Sequence, residues 1–86
     1  MKGGNIVYNI GKCQVCKQGL LEIVKDERTQ KVYICCDECE AEWDDPLDAL
    51  KCQNGTRGKY KKIVYPNLDE IKKQNWGIRI FKSSMK

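Results

Sequence analysis

The sequence contains no histidine, and this absence limits the chemistry that the chain can perform. Histidine is the side chain whose ordinary pKa lies closest to neutral pH, and it is the commonest general base and activator of nucleophiles. Without it, catalysis would have to rest on carboxylates, lysines, tyrosines or thiolates. We therefore expect a protein that is not an enzyme.

Long apolar runs are also absent. No segment approaches the ~20 apolar residues that a membrane-spanning helix requires. The first residues, "MKGGNIVYNIGKC", have neither the apolar stretch nor the small-residue cleavage site of a secretory signal. We therefore expect a cytoplasmic protein, in a compartment where thiols stay reduced.

Aromatic side chains are few, with one Phe, two Trp and four Tyr among 86 residues. A single domain over 1–86 buries a small share of its surface, and domains of this size are commonly stabilised by disulfides, a metal or a partner. Because disulfides are rare in reducing compartments, the six cysteines favour a bound metal.

Four of the cysteines have the spacing of a metal site. Cys13 and Cys16 form one C-x2-C pair, Cys36 and Cys39 form another, and 19 residues separate the pairs. Each pair bends the backbone into a knuckle with both sulfurs on one side, and a hairpin between the knuckles completes a tetrahedron. Protein sulfur then fills every position, so we expect structural Zn²⁺, although a tetrathiolate site also accepts iron.

The other two cysteines receive different interpretations. Cys35 competes with Cys36 for the third ligand position, but pairing Cys35 with Cys39 would need a looser C-x3-C knuckle. We therefore predict that Cys35 is a small buried residue at the end of a strand. Cys52 lies in a glycine-containing loop and is expected to be an incidental thiol, with a substitute ligand or an oxidation site as the alternative.

The region around the knuckles reads as a β-hairpin. Residues 5–10 have the composition of a strand. Two further strand-like runs, the apolar run 20–24 and the β-branched and aromatic run 32–35, are separated by a polar turn. We therefore predict an antiparallel hairpin with one CxxC knuckle at the outer end of each strand.

The C-terminal half carries two helix start signals. Asp45 is placed as an N-cap before Pro46, and Asn67 begins a capping box that predicts a helix ending at Gly77. Strands are expected over 59–65 and 78–81, on either side of this second helix. Trp43 and Trp76 are expected to pack this half against the hairpin rather than to anchor a partner.

These elements predict an α+β fold in one domain. A zinc ribbon over 5–43, an antiparallel hairpin with two knuckles, is extended over 44–82 by two short helices and one or two strands. Residues 83–86 are expected to form a frayed tail.

The arrangement "CQVCKQG…VYICCDEC" resembles the zinc ribbon, a fold found in transcription factors, polymerase subunits, ribosomal proteins and small adaptors. Ribbon knuckles often read CPxCG, whereas Gln14 and Val15 stand between the first cysteines here and Gly19 comes two residues later than usual. The longer pattern "CDECEAEWDDPLDAL…NLDEIKKQNWG" is similar to short bacterial zinc-ribbon proteins, some of which accompany polymorphic toxin genes as immunity proteins. This second resemblance implies a protein-binding role with a toxin as partner.

The net charge of +4 conceals a strong asymmetry. Residues 37–48 carry seven carboxylates and no Lys or Arg, whereas 51–82 carry nine basic residues and two acidic ones. A concentration of carboxylates repels phosphate and suits a basic protein surface, such as that of a nuclease toxin. We therefore expect a protein partner, with no membrane and no small-molecule substrate, to contact Asp37, Glu38, Glu40, Glu42, Asp44 and Asp45.

The segment 57–65, "RGKYKKIVY", supports an alternative function. A small nucleic-acid-binding protein of transcription or translation could use cations to contact phosphates and tyrosines to stack on bases. The residues that would do so are Lys59, Tyr60, Lys61, Lys62 and Tyr65. The same lysines also suit a solvated strand at the edge of a sheet.

Overall fold

The computed structural model describes residues 6–60 and 63–85. These residues form a small antiparallel β-sheet with few short helices, so the predicted α+β class is confirmed. The elements, in chain order, are β1 (Ile6–Lys12), β2 (Leu20–Asp26), β3 (Val32–Cys36), β4 (Glu42–Trp43), α1 (Pro46–Lys51), β5 (Ile63–Val64), α2 (Leu68–Lys72) and β6 (Phe81–Met85). Neither helix in these ranges is long and apolar enough to cross a membrane.

The sheet has the order β4-β3-β2-β1-β6, with β5 paired to the end of β2. The hairpin of β2 and β3 is regular, from Leu21 opposite Cys36 to Lys25 opposite Val32. The first CxxC pair precedes β2 and the second includes the last residue of β3. The hairpin therefore brings both pairs to the same end of the sheet.

Side chains on the two faces of the sheet form two apolar clusters. Because side chains alternate along a strand, Ile34 and Cys36 of β3 lie on one face, and Tyr33 and Cys35 lie on the other. The larger cluster includes Ile10, Leu21, Ile23, Ile34, Trp43, Ala49 and Ile71, with Trp76 half-buried at its edge. Both tryptophans thus pack against the core as expected.

The smaller cluster covers the opposite face of the sheet. It contains Val24, Tyr33 and Cys35, and Tyr60 and Tyr65 pack against it. The C-terminal half therefore contributes side chains to both faces of the hairpin.

Both predicted helix starts are confirmed. The Asp45 side chain accepts a hydrogen bond from the backbone N–H of Leu47 (2.9 Å), and Pro46 is the first helical residue of α1. At α2, the backbone N–H of Glu70 donates to Asn67 Oδ1 (2.8 Å) and the backbone N–H of Asn67 donates to Glu70 Oε1 (2.9 Å). These bonds satisfy N–H groups that have no partner inside the helix.

The prediction that α2 ends at Gly77 is wrong. The helix ends at Lys72, and Asn75 adopts a left-handed conformation (φ +57°) before Gly77 does so (φ +68°). The backbone N–H of Asn75 donates to the carbonyl of Lys72 (3.1 Å), which tightens the chain into a turn. Asparagine tolerates positive φ better than most residues, so the chain can turn away from the helix at Asn75, two residues before Gly77.

The C-terminal strand begins later than expected. It covers Phe81–Met85 rather than 78–81, so the segment 83–85 pairs with β1 instead of fraying. The edge of β1 supplies backbone partners for it, and the Asn9 side chain donates to Ser83 Oγ. Lys86, the last residue of the expected tail, lies outside the described residues.

The strand predicted over 59–65 is shorter in the structure. Only Ile63–Val64 of that range is assigned to a strand among the residues described, and Lys59 and Tyr60 belong to the preceding loop. Lys61 and Lys62 lie outside the described residues.

Candidate metal centre

The sulfurs of Cys13, Cys16, Cys36 and Cys39 lie within 4.8 Å of one another. Cys13 Sγ is 3.9 Å from Cys39 Sγ, and Cys16 Sγ is 3.6 Å from Cys36 Sγ. A tetrahedral site with a metal–sulfur distance of ~2.3 Å requires sulfurs ~3.8 Å apart. The predicted cysteine cluster is therefore present, and its geometry is compatible with a bound metal ion.

Each knuckle is closed by a backbone hydrogen bond from its first cysteine. The backbone N–H of Cys13 donates to the carbonyl of Gly19 (2.9 Å), and that of Cys36 donates to the carbonyl of Ala41 (2.9 Å). The first loop is one residue longer than the second, and each bond closes the loop that carries one pair of sulfurs.

Backbone N–H groups also point at the sulfurs. The N–H of Gly19 donates to Cys16 Sγ, and the N–H groups of Glu38 and Cys39 donate to Cys36 Sγ, each at 3.4 Å. Such bonds favour the thiolate, which is the form that binds a metal.

The surroundings of the sulfurs change their pKa values in opposite directions. The N–H groups of Gln18 and Gly19 lower the pKa of Cys16 to about 6. Burial raises the pKa of Cys36 to about 12, and the N–H groups of Cys39 and Glu38 oppose this only in part. A divalent cation at the centre would favour ionisation of all four thiols.

Position 19 requires glycine because the two knuckles leave no room there for a Cβ atom. A Cβ atom on Gly19 would lie 2.6 Å from Asp37 Oδ1 and 2.8 Å from Cys36 Sγ. Asp37 Oδ1 also accepts the backbone N–H of Leu20 (2.9 Å), which joins the second knuckle to the first. Any larger residue at position 19 would push the knuckles apart.

The remaining cysteines lie outside the cluster. Cys35 is buried on the opposite face of the sheet, as expected, and burial raises the pKa of its thiol to about 12. Cys52 is exposed and adopts a left-handed conformation at the C-terminal end of α1 (φ +57°).

Glu42 does not belong to the exposed acidic surface on which the sequence placed it. Only 4% of the residue is exposed, and its Oε1 accepts from Thr56 Oγ1 (3.0 Å) and from the backbone N–H of Lys59 (3.1 Å). Its Oε2 accepts from the backbone N–H of Tyr60 (3.4 Å). The backbones of Glu42 and Thr56 also pair in a short antiparallel bridge, and the buried carboxylate supplies acceptors for the N–H groups of Lys59 and Tyr60 further along the loop.

Two further carboxylates have structural partners. Asp44 accepts from Lys59 Nζ (3.0 Å) and Tyr60 Oη (2.6 Å), and Asp45 caps α1. Glu38 and Glu40 are exposed, and their side chains form no hydrogen bond or ion pair with the described residues. Among the six carboxylates predicted to contact a partner, these two and the exposed Asp37 are the most open.

An acidic cleft lies on the face of the sheet that carries Cys35. Its volume is about 340 Å³, and Tyr60 and Tyr65 form part of its wall. Its carboxylates come from several elements and include Glu22, Asp37, Glu40 and Glu42. Sequence reasoning missed Glu22, which pairs with Cys35 across β2 and β3. A single charge inside an otherwise apolar run was the signal that could have identified it.

Three described residues of the basic segment, Lys59, Tyr60 and Tyr65, contact other parts of the protein. Lys59 is paired with Asp44, and the ring of Tyr60 stacks on that of Tyr33 with centroids 4.0 Å apart. Tyr65 is half-buried against the smaller cluster. Tyr60 therefore has one face of its ring covered and is not an open platform for a base.

Comparisons of the chain with protein-family models, with curated proteins and with solved structures give no match. The function must therefore be inferred from the cysteine cluster and from the charged surfaces around it.

Proposed function

We propose that the chain is a non-enzymatic, zinc-stabilised module of the zinc-ribbon type that binds another protein. Two equivalent knuckles with sulfurs at tetrahedral spacing support Zn²⁺ as the resident ion. Four protein sulfurs saturate a tetrahedral ion, so the metal would hold the knuckles together and would not activate water. The metal would then replace the large core that so short a chain lacks.

In its most concrete form, the proposal is an immunity protein that masks a basic surface of a toxin in the cytoplasm. The observation that carries it is the acidic cleft: Glu40 is one of its carboxylates, and neither Glu40 nor the neighbouring Glu38 has a side-chain partner among the described residues. The resemblance of the pattern over 36–77 to short zinc-ribbon proteins implies the same partner, and the comparisons with known proteins add nothing to it. A nuclease is one example, because its own active surface must attract phosphate.

The metal would anchor the backbone that carries the exposed charges of the second knuckle. Glu38 and Glu40 lie on either side of Cys39, one of the four clustered cysteines. Charges of one sign concentrated on a surface steer a partner of opposite sign and raise the association rate and the specificity of the complex. The aromatic wall of the cleft suits a Lys or Arg side chain of that partner, because cations bind aromatic faces.

The test is complex formation with a toxin encoded beside the gene, followed by gel filtration and titration calorimetry. The double variant Glu38→Lys, Glu40→Lys is expected to weaken binding by about tenfold or more, with most of the loss in the association rate. The matched control is Glu27→Lys, Asp69→Lys, which changes the net charge equally at exposed positions elsewhere. Failure of the wild type to form a complex, or an equal loss in the control, would refute the proposal.

Nucleic-acid binding has less support as a second function. Lys59 and Tyr60 are held by Asp44, and the carboxylates of the second knuckle repel phosphate. A salt-dependent mobility shift with RNA or DNA that disappears in Lys59→Ala would favour nucleic-acid binding over protein binding.

A further inference from the structure

A second cleft, of about 230 Å³, lies between the cysteine cluster and the C-terminal end of α1. We refer to it as the 52–57 cleft. The residues that line it are Val15, Ala41, Trp43, Cys52, Gly55, Thr56 and Arg57. In contrast to the acidic cleft, this cleft has no carboxylate among the described residues of its wall, and its charged group is a cation.

Trp43, in one wall of the 52–57 cleft, carries a buried donor next to Gly55 of the same wall. Trp43 is 98% buried as a residue, and its indole N–H finds no acceptor within the described part of the chain. The edge of the ring that carries this N–H faces Gly55, where a Cβ atom would lie 3.1 Å from Nε1. Burying a donor without an acceptor costs free energy, which an acceptor inside the cleft would recover.

Arg57 supplies a positive charge beside this donor. Its Nε donates to the carbonyl of Cys39 (2.9 Å), which holds the side chain against the second knuckle. No carboxylate in the described ranges forms an ion pair with it, so the rest of the guanidinium is open to a ligand. A cation and a neutral N–H donor in one cleft match a carboxylate group.

The third chemical group in the cleft is a thiol. Cys52 is exposed at the end of α1, and it lies in the wall of the cleft together with Arg57. It lies outside the metal-compatible cluster, so its modification would not require the centre to open. The cleft therefore brings together a cation, a buried N–H donor and an exposed thiol.

We propose that Cys52 is a site of mixed-disulfide formation with carboxylate-bearing low-molecular-weight thiols, which Arg57 and the indole N–H of Trp43 recognise. The oxidant is the disulfide of such a thiol. The Cys52 thiolate attacks one sulfur of that disulfide, and its S–S bond breaks as a new one forms to Cys52. The other half leaves as a thiolate and takes up a proton from water. This inference does not depend on the proposed function.

The test compares three disulfides of different charge on the metal-loaded protein: glutathione disulfide, neutral 2-hydroxyethyl disulfide and cationic cystamine. Intact-mass spectrometry gives each initial rate, and division by the rate of N-acetylcysteine amide removes the intrinsic reactivity of the reagent. The expected relative rate is several-fold higher for glutathione disulfide than for the neutral reagent, and lower for cystamine. Cys52→Ser is expected to abolish the fast modification, and equal relative rates for the three reagents would overturn the proposal.

Variants of Arg57 separate recognition from simple exposure of the thiol. Arg57→Gln is expected to abolish the preference for glutathione disulfide, and Arg57→Lys is expected to keep most of it. Lys51→Gln, a nearby cation outside the cleft wall, is the matched control and is expected to keep the full preference. A preference that survives Arg57→Gln, or that is lost equally in Arg57→Lys, would overturn the role of the charge.

The indole N–H gives a second readout in the unmodified sequence. In protein labelled with ¹⁵N-tryptophan, glutathione on Cys52 is expected to shift the Trp43 indole resonance downfield, whereas Trp76 serves as the internal reference. The Trp76→Phe variant assigns the two signals without altering the cleft. A Trp43 signal that does not move on modification would refute its part in recognition.

Discussion

Lys17 and Glu40 adopt the same left-handed backbone conformation at equivalent positions of the two knuckles. Each follows the second cysteine of its CxxC pair, with φ of +60° for Lys17 and +62° for Glu40. This conformation is strained for residues that carry a Cβ atom and is natural for glycine. The strain explains why ribbon knuckles often place glycine immediately after the second cysteine.

Replacement of Lys17 or Glu40 by glycine is expected to stabilise the metal-loaded protein. Relief of the left-handed strain outweighs the extra entropy of the unfolded chain, so we expect a gain of about 0.5–1 kcal/mol for each variant in urea unfolding. The control is Gln18→Gly, in the same knuckle but without a positive φ, which is expected to destabilise. A loss of stability in both Lys17→Gly and Glu40→Gly would contradict the prediction.

Gly19→Ala is expected to weaken both the fold and metal binding. The new methyl group would meet Asp37 Oδ1 and Cys36 Sγ, so the knuckles must separate, at a cost of about 1–3 kcal/mol. Thermal unfolding measures the first effect, and competition with a chromophoric chelator measures the second. Gln18→Ala is the matched control and should leave the metal affinity unchanged; equal affinities for wild type and Gly19→Ala would contradict the prediction.

Thiol reactivity is expected to distinguish the three environments of cysteine. In the metal-loaded protein, an aromatic disulfide reagent should react rapidly with Cys52 alone, because Cys35 is buried with its pKa raised to about 12 and the other four are held by metal. Denaturant with a chelator should expose all six thiols, and Cys52→Ser should remove the fast phase. A second rapid thiol that persists in Cys35→Ala would show that the site binds metal through fewer than four sulfurs.

Features encoded by neighbouring residues were predictable from the sequence. The CxxC spacing, the Asp45 cap and the capping box at Asn67 each depend on atoms a few positions apart, and the structure contains all three. The role of Glu42 was not predictable in this way, because its donors come from residues 56–60 and approach it only after α1 has turned the chain. The sequence therefore predicts one uniform acidic surface over 37–48. In the structure, the same carboxylates have three different roles: buried, helix-capping and exposed.

The start of β6 was missed for a similar reason. The alternating apolar residues Ile78 and Ile80 pack against the larger cluster from an irregular segment, whereas the polar residues after them pair with β1. Whether a segment pairs with the free edge of a sheet depends more on the position of that edge than on the pattern of the segment's side chains. The position of that edge is a property of the whole sheet.

Asp44 is expected to make the stability depend on pH in the acid range. Burial alone would raise its pKa, but the hydrogen bonds from Tyr60 and Lys59 outweigh burial and lower it. Folding therefore favours the ionised carboxylate, so its contribution is complete above the unfolded pKa of ~3.9 and is lost as the pH falls through the lower folded value. Because the side chain is 46% exposed, we expect Asp44→Asn to cost less than about 1 kcal/mol at neutral pH.

The measurement is the difference in urea midpoint between wild type and Asp44→Asn across the acid range. This difference is expected to be constant near neutral pH and to shrink below about pH 4. Taking the difference cancels the loss of metal by thiol protonation, which both proteins share. Asp69→Asn, at an exposed position on α2, is the control and should not reproduce the pH-dependent part. A difference that grows as the pH falls would mean that burial, and not the bonds from Tyr60 and Lys59, dominates at Asp44.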